Sequence, residues 1–81
     1  MITENEILER MTSVIEDILE IPELILKPDM TAKDIEGWDS LAHIEIIVGM
    51  EYEFGVKFKL AEVKSLENIS NFVELIKAKV Y

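Results

Sequence analysis

The stretch EGWDSLAHIEII, Glu36 to Ile47, decides how this chain is read. Gly37 suits a turn. Asp39 is a good N-cap, its short carboxylate able to accept from a backbone N–H two or three residues on. The apolar run that begins at Leu41 then predicts a helix from Ser40 to Phe54, with Gly55 in the position where left-handed geometry closes a helix. At roughly 100° per residue, His43, Ile46, Ile47, Met50 and Phe54 share one stripe, enough to face a small core. Leu41, Ile44 and Val48 fall on a different side, beside Glu45, Glu51 and Tyr52. A helix apolar nearly all round asks to be buried nearly all round. With so few other elements to cover it, the second side reads as an apolar docking patch rimmed by acids. The alternative is that the long loop before the helix folds over it.

Working outward, Thr3 and Glu6 fit a capping box, and Ile7, Leu8, Met11, Val14, Ile15, Ile18 and Leu19 recur at helical spacing. The spacing predicts a helix over about residues 4–19, ended by Ile21-Pro22 because a residue before proline avoids helical angles. Glu23-Leu24-Ile25-Leu26 has strand character but no partner strand, and a lone strand is unstable. Residues 20–38 are therefore expected to form a loop pinned by Leu24, Leu26, Met30, Ile35 and Trp38. Loops of this length in small domains are usually functional. Leu60 to Lys64 predicts one short helical turn. Ser65 is read as the cap of a last helix carrying Leu66, Ile69, Phe72, Val73, Ile76 and Val80. The expected fold is all-α: one domain over residues 1–81, a small bundle of three main helices with a short helical turn and a long first connection.

Composition narrows the function. The 81 residues carry 17 acids against 8 Lys plus Arg, a net charge of −9. Such a chain repels nucleic acid and anionic membranes and attracts basic partners. Asp34, Glu36, Asp39, Glu45, Glu51 and Glu53 lie in a segment without a single Lys or Arg, which by charge alone reads as a solvated face. No apolar run approaches a membrane span, and the acidic opening MITENEILER does not read as a signal peptide. The absence of cysteine excludes disulfides and thiolate metal sites and fits the cytoplasm. One histidine and scattered acids make no transition-metal site, and Asp34-Ile35-Glu36-Gly37 is too short a run for a calcium loop. Ser40 and His43 are three apart, but there is no G-x-S-x-G elbow and no third orienting group, so a hydrolase is not expected. His43 reads as a core or edge histidine with one hydrogen bond.

Asp39-Ser40-Leu41 at a helix start, ahead of Glu45, Glu51 and Glu53 in an acidic chain with this order of helices, resembles the acyl carrier protein family. The likeness covers nearly the whole chain. It implies a 4′-phosphopantetheine arm joined to Ser40 as a phosphodiester, installed from coenzyme A by a phosphopantetheinyl transferase, with cargo held as a thioester. It further implies that Asp39 helps present the serine, that Leu41, Ile44 and Val48 form a docking strip, and that Glu45, Glu51 and Glu53 meet Arg and Lys on acyl-loading, condensing and other biosynthetic enzymes. The chain itself would be no enzyme and bind no metal, nucleic acid or membrane, and a monomer is expected. Ala42, the lysines Lys57, Lys59 and Lys64, and Trp38 depart from the fatty-acid pattern and point toward a specialised carrier for polyketide, peptide or modified-sugar assembly. A start at Met1 without a linker favours a free-standing protein. The competing expectation is an unmodified acidic adaptor that docks a basic partner through the same helix.

Overall fold

The computed structural model describes residues 2–80. Four helices follow one another: α1 (Glu4–Leu19), α2 (Ser40–Phe54), α3 (Leu60–Lys64) and α4 (Ile69–Val80), with a 3-10 turn at Ala32–Asp34 in the first connection. No strand forms among the described residues.

Helix α1 starts where Thr3 Oγ1 accepts the Glu6 N–H at 3.1 Å. It stops at Glu20, whose left-handed backbone (φ 56°) lets the N–H groups of Glu20 and Ile21 both reach the Glu16 carbonyl just ahead of Pro22. One face, Ile7, Met11 and Ile15, is wholly buried. It meets Ile46, Ile47 and Met50 of α2, and Ile69, Phe72, Val73 and Ile76 of α4 close the core. Gly49 makes the α1–α2 approach possible. A Cβ at that position would lie 2.8 Å from Val14 Cγ1 and 3.0 Å from Ile18 Cδ1. A glycine inside a helix costs about 1 kcal/mol relative to alanine, and here it lets two helices come closer than a methyl group would permit.

The long connection is a packed strap. Leu26 and Ile35 are buried, and Leu24, Met30 and Trp38 pack against the core. Its carbonyls also serve α4: the Ile69 N–H donates to Met30 O at 2.9 Å and the Ser70 N–H to Pro28 O at 2.8 Å. Two of the N–H groups that a helix start leaves without intrahelical partners are thereby satisfied by loop backbone.

The start of α4 differs from the sequence expectation. Ser65 does not cap it. Ser65 closes α3, turning its Oγ back to donate to the Glu62 carbonyl at 2.8 Å. The capping oxygen is Asn68 Oδ1, which accepts the Asn71 N–H at 2.8 Å, and Leu66 lies in the link. A serine hydroxyl can serve a preceding carbonyl as readily as a following N–H, and the strap's contacts with Ile69 and Ser70 fix which cap is used.

Candidate functional site

The site is the junction between the strap and α2. Gly37 (φ 88°) takes a backbone conformation that side-chain-bearing residues avoid. The chain then extends through Asp39, whose Oδ1 accepts the Ala42 N–H at 2.8 Å while its carbonyl accepts the His43 N–H at 2.9 Å. Ser40 is the first residue of α2 and is exposed. It opens onto a shallow groove shared with Ala32, Trp38, Asp39 and His43.

Trp38 and His43 form the wall of that groove. The Trp38 indole Nε1 donates to His43 Nδ1 at 3.1 Å, with ring centroids 6.0 Å apart. Nδ1 is thus the accepting nitrogen, and the imidazole is engaged with the indole rather than with Ser40. This is the single hydrogen bond expected of an edge histidine. Its partner was not predictable, because the bond depends on how the strap turns at Gly37.

The docking residues separate by environment. Leu41 is 66% exposed, Ile44 61% and Val48 43%, so the strap leaves this side of α2 uncovered. Glu45 is exposed, with no hydrogen-bond or ion-pair partner within the described chain. Glu51 is half-buried, and its Oε2 accepts the Phe58 N–H at 2.9 Å. Glu53 turns to α1, where its Oε2 pairs with Arg10 Nε at 2.7 Å and its carbonyl accepts from Arg10 Nη2. The Arg10 guanidinium also lies over the Phe54 ring, 4.6 Å from its centroid. Sequence reasoning missed the engagement of both glutamates. A signal existed for Glu53: Arg10 is the one base on α1.

A small helical bundle presenting an exposed serine at the capped start of its second helix has the form of a carrier domain, and comparison with known proteins shows that it is one. The family model described as "Phosphopantetheine attachment site" matches residues 9–76. The acyl carrier protein of Thermosynechococcus vestitus is 32% identical over 78 residues, 95% of each chain. That of Acidothermus cellulolyticus is 31% identical, over 93% of this chain and 89% of its own. The solution structure of a holo acyl carrier protein from Geobacter metallireducens superposes with a TM-score of 0.84 at 30% identity, covering 90% of this chain and 84% of that one. The chain belongs to the acyl carrier protein family.

The group that goes with this family is covalent 4′-phosphopantetheine, and the residues at the site fit it. The Ser40 side chain is accessible. The N–H groups of Ser40 and Leu41 have no acceptor within the described chain, and they sit at the positive end of the α2 dipole, where a phosphate is welcome. Asp39 does not compete for these N–H groups, because its bonds go to Ala42 and His43. Among the described residues no helix is long and apolar enough to cross a membrane. Among the described residues no cluster of three or more His, Cys, Asp or Glu is placed to hold a metal.

Proposed function

We propose that this chain, as one carrier domain, holds acyl or aminoacyl intermediates on a 4′-phosphopantetheine arm at Ser40 and presents them to separate biosynthetic enzymes in the cytoplasm. The arm supplies a terminal thiol, on which cargo rides as a thioester. Everything else falls to the chain's own residues. Ser40 Oγ is the tether. Asp39 fixes the first turn of α2, so the serine is held at one orientation toward a phosphopantetheinyl transferase. Leu41, Ile44 and Val48 give partner enzymes an apolar strip to bury, and Glu45 adds a free carboxylate at its edge. Glu51 and Glu53 each have one oxygen engaged internally and one left for an arginine or lysine of the partner. Screened pairs of that kind contribute about 0.2–1 kcal/mol each, which suits contacts that form quickly and release. Catalysis then belongs to the partners and not to this chain.

The observation that carries the reading is the exposure of Ser40 at the capped start of α2, beside an open groove. Incubation with coenzyme A and a broad-specificity phosphopantetheinyl transferase is expected to add the mass of one arm to the intact protein, and Ser40→Ala is expected to add none. A folded wild-type chain that stays unmodified, or a Ser40→Ala chain that still gains the arm, overturns the assignment.

A further inference from the structure

The exposed face of α2 does not end at the helix. Between α2 and α3 runs an open groove floored by Ile47, Phe58 and Val63 and edged by Ile44, Val48, Glu51 and Leu60. Leu60 is 71% exposed. Past Val48 the groove continues into a depression bounded by Tyr52, Gly55 and Lys57. The apolar surface open to a partner therefore spans two helices.

The charges along its margins are not of one sign. Glu51 lines the α2 wall of the groove; its Oε2 accepts the Phe58 N–H, and the carboxylate keeps its charge and its other oxygen. On α3 itself the acid is engaged within the molecule. Glu62 accepts the Lys59 N–H at 2.7 Å and pairs with Lys79 Nζ at 2.9 Å, and these two contacts, the backbone one first, hold its carboxyl below the ordinary range. Lys57 and Lys64 on the same side are exposed and have no acid partner within the described chain. Glu45 is also free, but it lies roughly 100° around α2 from Ile44, on the flank turned toward α1. The charge left for a partner is thus positive beside α3, at Lys57 and Lys64, and negative on α2, at Glu51 and at Glu45 on the far flank. Apolar centres with charged rims are the usual anatomy of a docking surface, and free rim charges govern which partner is admitted.

We propose that the α2–α3 groove docks partner enzymes whose contact face carries two signs, acidic where it meets Lys57 and Lys64 and basic where it meets Glu45 and Glu51. The proposal rests on the carrier reading of Ser40 and adds to it the chemistry of the partner. A uniformly basic docking face, which a net charge of −9 invites, meets like charge at α3.

The test uses two phosphopantetheinyl transferases of known structure as probes. One has a uniformly basic carrier groove, and the other bears acids on the side that faces α3. KM for the apo protein is measured with each, for wild type, for the double variant Lys57→Glu/Lys64→Glu, and for Glu45→Lys. The double variant is expected to lower KM about threefold or more with the basic-groove enzyme and to raise it with the other. Glu45→Lys is expected to raise KM with both. All shifts are expected to shrink at about 0.5 M salt. The neutral pair Lys57→Gln/Lys64→Gln should move KM in the same directions by less, which guards against a folding defect in the charge reversal. KM values unchanged in the lysine variants, or shifted the same way with both enzymes, overturn two-sign docking while leaving Ser40 modification intact. If neither enzyme adds an arm to any folded form, the carrier reading falls and this proposal falls with it.

Discussion

Helices α1 and α2 are nearly the same length and pack against each other, yet they are written in different ways. On α1 the buried residues Ile7, Met11 and Ile15 form one stripe, and exposed Glu6, Glu9 and Asp17 occupy the opposite side. On α2 the buried set Ala42, Ile46, Ile47 and Met50 is matched by a second apolar set, Leu41, Ile44, Val48 and Tyr52, that stays in solvent. A fold needs only the first pattern. The second keeps apolar surface in water, which folding alone does not explain and a recurring partner does. The contrast between the two helices therefore supports the proposed docking face without reference to any motif.

The comparison can be broken most forcefully from the buried side. Met50→Ala deletes a fully buried side chain at the meeting of the helices and is expected to cost about 2–5 kcal/mol in chemical denaturation. A smaller loss would mean that the core is loose enough to collapse around the gap. Gly49→Val drives a branched side chain into Val14 and Ile18 and is expected to cost about 1–3 kcal/mol through forced separation of α1 and α2. Asp39→Ala leaves the Ala42 N–H without its acceptor, and a loss of about 0.5–2 kcal/mol is expected in thermal melts. It should also slow arm attachment, since the start of α2 frays where the serine sits. Ile44→Ala sharpens the contrast from the other face: stability is expected to stay within about 0.5 kcal/mol of wild type, while docking to a transferase weakens. A large stability loss there would show that the stripe is packed and not open.

What could be read in advance follows the same division. Local chemistry was legible. Asp39 caps α2, Gly55 (φ 66°) closes it, Pro22 bounds α1, and the strap residues Leu26 and Ile35 are buried as their apolar side chains imply. So was the exposed stripe, because helical spacing alone divides α2 into faces. Choices settled by distant parts of the chain were not legible. Ser65 and Asn68 are both competent caps, and loop carbonyls thirty-odd residues upstream decide between them. Glu51 and Glu53 read as free acids until Phe58 and Arg10 are seen to hold them. In the candidate site, the position of Ser40 was evident from its neighbours, but the wall made by Trp38 and His43 needs the left-handed turn at Gly37 to bring the two rings together.

The indole in that wall has a practical consequence. Trp38 is the chain's sole tryptophan, and it lies two residues from Ser40 with its N–H held by an imidazole. Fluorescence excited at wavelengths that tyrosine does not absorb therefore originates at one place, beside Ser40. Modification at Ser40 is expected to shift that emission, which would let the reaction be followed in real time with the protein as its own native optical reporter.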